Sequence, residues 1–282
     1  MPSQSMIDRS NLGWRLAAYI VMGAFTFLTV APLVWLFYSS LKPNMEIVRN
    51  VVALPQNPTF QNFVTAWTRG RLGLYMLNSV IYAGVGTVVT SMLALSSGYG
   101  FAKFKFKISG LFYFFYIIGL LITVHSVLVP LYVLETKLHI DDTRFGVLLP
   151  YVAFGMPFAI YLATSYIKGI PDALEESAVI DGAGYMQIFW HIIAPVARPV
   201  TTTILIFTFL SNWNEFVFVF TLTSKAVLRS LPVGVNAFAG GMARDYGLML
   251  AALVIATVPM LVFYAFFRDQ IEKGFSAGSV KE

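Results

Sequence analysis

Residues 171–199 read PDALEESAVIDGAGYMQIFWHIIAPVARP, from Pro171 to Pro199, and the rest of the chain is understood outward from this stretch. Its pattern predicts a helix, a glycine turn and a second helix. Asp172, with Glu175 three residues later, is an acidic version of the capping box that satisfies orphaned backbone N–H groups at a helix start. Gly182 and Gly184 supply the stop, since glycine reaches the left-handed conformations in which helices end. Tyr185, Ile188, Phe189 and Ile192 then recur at helical spacing on one face, and Pro195 is expected to end the segment. The polar side of this elbow carries Glu175, Glu176 and Asp181. A helix lying on lipid favours Lys and Arg there. Acids instead suit insertion into the groove of a soluble partner.

On both sides of the elbow the chain is apolar enough to cross a bilayer. Leu16–Leu41, Leu72–Ala102, Ile108–Leu134, Phe145–Ile167 and Tyr246–Phe267 contain no Asp, Glu, Lys or Arg, and Pro199–Ser224 is interrupted only by Glu215. Each run exceeds the roughly 20 helical residues needed to span about 30 Å of hydrocarbon. Of 282 residues, 57% are hydrophobic and 12% charged, with a mean hydropathy of +0.73. An average soluble domain is about 25% charged, so a soluble globule lacks its polar shell and a disordered chain is excluded as well. The absence of cysteine rules out a disulfide framework, a thiolate metal site and a cysteine nucleophile. Backbone polar groups in lipid must be satisfied internally, and the alternating ten-residue strands of a barrel are missing. The expectation is an all-α polytopic membrane protein of six transmembrane helices. It divides into an N-terminal segment (1–15), a six-span domain (16–267) that includes the elbow loop (168–199), and a tail (268–282). The first apolar run is too long for a signal-peptide core, and no small-residue cleavage site follows it.

An even number of spans places both termini on one side. Lys103, Lys105 and Lys107 crowd the short second loop, which assigns that loop and the termini to the cytoplasm. The whole-chain census is nearly even, ten Lys/Arg inside against nine outside, so the lysine loop carries the orientation. Between the first two spans, Pro43, Pro55 and Pro58 predict an irregular segment with one short helix. Gly86, Thr90, Ala94, Gly98 and Ala102 form a small-residue stripe at four-residue spacing, which lets another helix approach closely. Phe112 to Tyr116 read as an interfacial aromatic belt. Pro130, Pro150, Pro157 and Pro259 are expected to kink their helices.

With these residues in view, the elbow resembles the EAA signature of permeases of ABC importers. The matching residues are Glu176-Ser177-Ala178, Asp181-Gly182-Ala183 and Ile193-Ala194-Pro195. Ser177 stands where the first alanine is usual and Ala194 where leucine is, while the glycine spacing is kept. The resemblance extends to maltose-type carbohydrate permeases through Pro32-x-x-Trp35, Ser40-Leu41-Lys42-Pro43, Asn78-Ser79, Gly98-Tyr99, Pro130-Leu131-Tyr132, Trp213-Asn214, Lys273-Gly274 and Gly278-x-Val280-Lys281. Family members often carry a further proline about seven residues before the one matching Pro130. Here Thr123-Val124-His125 stands in its place, so the kink of the third span is expected to differ.

The resemblance implies the type I importer permease fold with a cytoplasmic coupling-helix elbow, in the cytoplasmic membrane of a prokaryote. It implies a heterodimer with a second permease subunit, two ATP-hydrolysing subunits and an extracytoplasmic solute-binding protein, with no nucleic acid among the partners. Glu175, Glu176, Ser177, Ala178, Asp181, Gly182 and Ala183 become ATPase-docking candidates, with Glu176 pairing an arginine of the ATPase. Asn236, Gly240 and Gly241, in the loop between the last two spans, become binding-protein contacts. The chain has no G-x-x-x-x-G-K-[ST] loop, so ATP is expected to be hydrolysed elsewhere and the chain itself to be non-catalytic.

Glu215 is the one formal charge inside a span, among Asn212, Trp213 and Asn214. An intramembrane carboxylate marks a solute pathway by default; a position near the external interface or pairing with the partner permease is the other reading. His125 has no acid or cysteine at ligand spacing and reads as a packed histidine, and neither a metal nor a cofactor is implied. A sugar or oligosaccharide is the expected solute, with a polyol or glycerol phosphate as the alternative. A phosphate ester favours cations along its path, and the spans contain none. An intramembrane enzyme lacks its H-E-x-x-H, G-x-S-x-G or paired aspartates here, and a channel has no use for a docking elbow.

Overall fold

The computed structural model describes residues 4–104, 106–239 and 245–279, with side chains described for 13–104, 106–238 and 245–270. Every regular element among them is helical. The first span is α1 (Gln4–Ser39), followed by the short helices α2 (Asn44–Arg49) and α3 (Gln61–Thr68) and by the long α4 (Leu72–Lys103). Then come α5 (Ser109–Ile118), α6 (Val124–Leu138) and α7 (Arg144–Ile167). The elbow comprises α8 (Ala173–Ile180), α9 (Tyr185–Ile188), a π-helical turn (Phe189–Ile193) and α10 (Ala194–Val196). The chain closes with α11 (Arg198–Asn214), α12 (Val217–Leu222), α13 (Leu231–Ala239) and α14 (Tyr246–Ser279).

Four helical stretches, Gly13–Ser39, Leu72–Lys103, Arg144–Ile167 and Tyr246–Gln270, are each long and apolar enough to cross a bilayer. Two bent pairs pass the same test of length and apolarity and allow up to six: Ser109–Leu121 with Val124–Leu138, at 108°, and Tyr185–Val196 of the elbow with Arg198–Asn214, at 76°. The all-α reading is therefore what the chain adopts, and the six-span reading counts each bent pair as one interrupted span.

The third span breaks at Ile122 and Thr123, where the backbone is extended after the 3-10 turn Gly119–Leu121. Pro130 lies inside α6 without breaking it. Thr123 restarts the helix, its carbonyl accepting both the N–H (3.2 Å) and the hydroxyl (2.8 Å) of Ser126. The turn is held close to α7, since a Cβ on Gly119 would stand 2.9 Å from the Pro157 ring. His125, beside the break, is exposed rather than packed. The fifth span, expected to run unbroken to Ser224, stops at Asn214 and resumes as α12. Alone, α11 reaches about 26 Å at 1.5 Å per residue, short of the hydrocarbon thickness.

By its contacts the chain divides into two compact units, residues 1–70 with 238–257 and residues 71–237 with 258–282. In the first, the segment after α1 holds two short helices where one was expected. It is organised around Lys42, whose side chain is fully buried. The ammonium reaches the carbonyls of Asn50 (3.4 Å) and Val51 (3.3 Å) and lies 5.2 Å from the centre of the Tyr38 ring. Trp35 and Tyr38 also bond this loop, at Val51 O (3.0 Å) and Val52 O (2.7 Å). Asn62 from α3 closes it by donating to Ser40 O and Lys42 O.

In the second unit α4, α7 and α11 pack on one another along the small-residue stripe. A Cβ on Gly98 would meet the Ala163 Cβ at 2.6 Å and one on Gly86 the Asn212 amide at 3.0 Å, while Gly155 of α7 lies as close to Thr90. Two apolar cores result. One joins Leu95, Tyr99, Ile160 and Ile204 to the elbow residues Ile188, Phe189 and Ile193; the other gathers Tyr82, Val147, Tyr151, Phe218 and Leu222.

Candidate functional site

The elbow is built on a turn that only glycine adopts without strain. Gly182 has φ +82°, and a Cβ there would have no neighbour within 4 Å, so backbone conformation rather than space requires the residue. Ala183 N–H closes on Ala178 O (2.9 Å) and Gly182 N–H on Val179 O (3.0 Å), satisfying the last carbonyls of α8. Gln187 then reaches back to accept the Gly184 N–H at 2.9 Å, opening α9.

The start of α8 differs from the expected capping box. The Asp172 carboxylate makes no cap bond and instead forms an ion pair with Lys103, the last residue of α4. Lys103 Nζ also donates to Ile170 O (2.6 Å) and stands 3.4 Å from Glu175 Oε1, while the Tyr99 hydroxyl donates to Glu175 Oε2 at 3.0 Å. A full cation nearby competes successfully with a backbone N–H for that carboxylate. Pro195 does not end the second segment either: helical turns continue to Val196 and the chain bends at Ala197. The π turn between them carries Phe189 and Ile193 inward, so the apolar underside of the elbow packs on its own spans while Tyr185 is exposed.

Of the docking candidates, Glu176, Ser177, Asp181 and Gly182 are exposed and Ala183 is half-buried. Glu175, with its side chain only 16% exposed, and Ala178 are turned inward and shape the elbow from beneath. A notch of about 410 Å³ flanks the turn, between Asp181, Gln187 and His191.

The second feature is a cavity of about 360 Å³ between α7, α11 and α12. Thr208, Ser211, Asn212 and Glu215 give it one polar strip, and Tyr151, Phe154, Phe158, Phe207 and Phe218 line most of the remainder. The strip follows i, i+3, i+4, i+7 spacing, one face of a helix. Glu215 sits at the break itself, where its carboxylate accepts the N–H groups of Phe218 (2.7 Å) and Val219 (3.4 Å) and so caps α12. The Tyr151 hydroxyl stands near that carboxylate without hydrogen-bonding geometry. Of the four path candidates the structure brings Asn212 and Glu215 to the cavity. Trp213 is buried and stacks on Phe209 at 5.8 Å, and Asn214 is exposed and donates back to Leu210 O. The lining phenylalanines, Thr208 and Ser211 were missed from sequence, although the spacing of the strip was a usable signal.

Among the loop candidates Asn236 is exposed on α13, and Gly240 and Gly241 lie outside the described residues. The base of this loop is anchored. Asn78 donates to Val227 O (2.8 Å) and Arg229 O (3.0 Å), Tyr82 donates to Leu228 O (2.9 Å), and the Ser79 hydroxyl accepts the Leu231 N–H (2.7 Å). Asp142 accepts the N–H groups of Ser224 and Lys225. Among the described residues no three His, Cys, Asp or Glu side chains come together as a metal site.

Apolar spans, a cavity between α7, α11 and α12, and an exposed acidic elbow on a glycine turn are the features of a membrane-embedded transport subunit. Residues 86–276 match the family of binding-protein-dependent transport system inner membrane components, and the chain belongs to that family. It is 34% identical to a putative ABC transporter permease protein of Caldicellulosiruptor sp., over 93% of this chain and 96% of the relative. To a diacetylchitobiose uptake system permease protein of Streptomyces coelicolor it is 33% identical, over 90% and 85% respectively. A chain in the crystal structure of a bacterial ABC transporter involved in importing the acidic polysaccharide alginate has the same fold. That match has a TM-score of 0.83 at 20% identity and covers 93% of this chain and 97% of that one. The protein is thus a multi-pass inner-membrane permease of the ABC type.

Proposed function

We propose that the chain forms one half of a heterodimeric pathway for a neutral sugar or oligosaccharide delivered by an extracytoplasmic solute-binding protein. Two separate ATPase subunits dock at the elbow and hydrolyse the ATP, and both termini lie in the cytoplasm with the elbow and the lysine loop. The observation that carries this reading is the elbow itself. Glu176 and Asp181 are presented to solvent around the Gly182 turn, on a platform whose underside is buried in the spans. The cavity supports the solute class, since aromatic walls with a few convergent polar groups suit hydroxylated rings and no Lys or Arg lines it. The Streptomyces relative, named for diacetylchitobiose, points the same way.

Purification of the complex and ATPase assays across a sugar panel test the reading. Wild-type chain should retain its ATPase, and one sugar with its binding protein should stimulate hydrolysis. Glu176→Ala should lose about 3–5 kcal/mol of docking, the scale of a buried ion pair that loses one partner, and release the ATPase on size exclusion. Retention of the ATPase by that variant sinks the docking role. Replacing Asn212 and Glu215 together by Ala should slow uptake about tenfold or more, with assembly intact, because sugar hydroxyls lose charged and amide partners worth about 1–3 kcal/mol each. Unchanged uptake kinetics would remove the cavity from the pathway.

A further inference from the structure

The elbow is joined covalently to the spans at two places, the 168–172 link from α7 and the Ala197 bend into α11. A third connection, to α4, is made by side chains. Lys103 ends α4 with its side chain 7% exposed, and its ammonium is shared by Ile170 O (2.6 Å), the Asp172 carboxylate and Glu175 (3.4 Å). One turn earlier Tyr99 holds the other oxygen of Glu175 at 3.0 Å. The Tyr99 ring lies 5.6 Å from Phe189 and 5.2 Å from Phe104, which meets Tyr185 edge-on at 5.2 Å. The end of α4 therefore grips the first elbow helix by charge and the second by aromatic contact. Further along the same helix, Gly86 and Thr87 face Asn212 of the cavity, whose amide is 3.5 Å from the Thr87 hydroxyl.

We propose that Lys103 is a positioning residue of transport, locking the elbow to α4 so that a displacement at the elbow moves the cavity wall instead of flexing its links at Pro171 and Ala197. The physical case is that the Lys103–Glu175 pair, with side chains 7% and 16% exposed, is little screened by salt even though Asp172 is exposed, whereas the two backbone links are bends. A state change at the elbow shifts the spans only if the two move together. This inference rests on the reading that ATPases act at the elbow.

The test uses the assembled importer with its ATPases and binding protein in proteoliposomes, reading ATP hydrolysed per sugar taken up. Lys103→Met should raise that ratio about tenfold, within the usual range of coupling between sites, with the co-purified amount of ATPase unchanged. Lys103→Arg, which keeps charge and reach, should restore the wild-type ratio. A wild-type ratio in Lys103→Met, or a defect in Lys103→Arg as large as in Lys103→Met, overturns the proposal. Should Lys103→Met fail to assemble, Glu175→Gln decides. It removes the charge while keeping the shape, and should raise the ratio by a smaller factor; an unchanged ratio overturns the proposal. Failure of the functional reading looks different, because wild-type chain would then hold no ATPase or respond to no sugar.

Discussion

Asp142 shows what single residues do at the end of the molecule opposite the elbow. It stands at φ +52°, an uncommon conformation for a residue with a Cβ. Its carboxylate accepts the N–H groups of Ser224 and Lys225, and Lys225 Nζ returns to its carbonyl at 3.3 Å. Partial burial pushes the carboxyl upward, but the hydrogen bonds from Lys225 and Ser224 and the charge of Lys225 prevail and hold it below the ordinary aspartate value. A lowered folded-state value means that stabilisation is complete above the ordinary value of about 4 and is lost as pH falls through the lowered one. Melting of the purified chain between neutral pH and about pH 3 should show this loss, and Asp142→Asn should weaken the acid dependence. Superimposable profiles for the two proteins would contradict it. Residues like this differ in how far sequence betrays them. Glu215 was legible because a charge within an apolar run is costly and so asks for a reason. Lys103 was not, because the carboxylate it pairs with lies 69 positions away and only the fold brings them together.

At the scale of elements, lipid made the spans easy to read and their interruptions hard. A run without charges announces a span, yet neither break is announced in the same way. The third span gives way at Ile122-Thr123 with no proline there, and the proline that was present, Pro130, leaves α6 unbroken. The cavity-lining phenylalanines were hidden for a related reason. In a chain with 16% aromatic residues, Phe154 or Phe218 carries no distinguishing signal until helices are placed. The small-residue stripe, by contrast, translated directly into contact between α4 and α7. Even one methyl group at Gly98 would stand 2.6 Å from the Ala163 Cβ and 3.0 Å from the backbone N of Thr164, so the helices must separate. Gly98→Ala should cost about 1–3 kcal/mol, the usual penalty of overpacking. Gly84→Ala on the same helix meets nothing within 4 Å and should be neutral or slightly stabilising. Thermal unfolding of both variants in detergent checks the pair, and equal stabilities would mean that the approach at Gly98 is not a constraint.

For the whole molecule the governing fact is that its exposed surface is apolar where a soluble protein would be charged. Along α1, Tyr19, Phe25, Phe27 and Leu28 are each more than 70% exposed, which is tenable only against lipid or another apolar helix. The charges gather at the ends of the spans, and there they fix which loops share a side. Lys103 holds Asp172 directly, so the lysine loop and the elbow must lie at the same face whatever the absolute orientation. The segment 224–230 follows the fifth span and must lie at the other. Because the chain contains no cysteine, single cysteines report on this without a background to remove. Asp181→Cys on the elbow should react with a membrane-impermeant maleimide only in inverted vesicles. Val227→Cys, whose side chain is exposed while its backbone anchors the loop, should react only in right-side-out ones. The opposite pattern would invert the topology and overturn the proposal that an ATPase docks at the elbow. Labelling of both from one side would mean that α11 and α12, divided at Glu215, do not together cross the membrane.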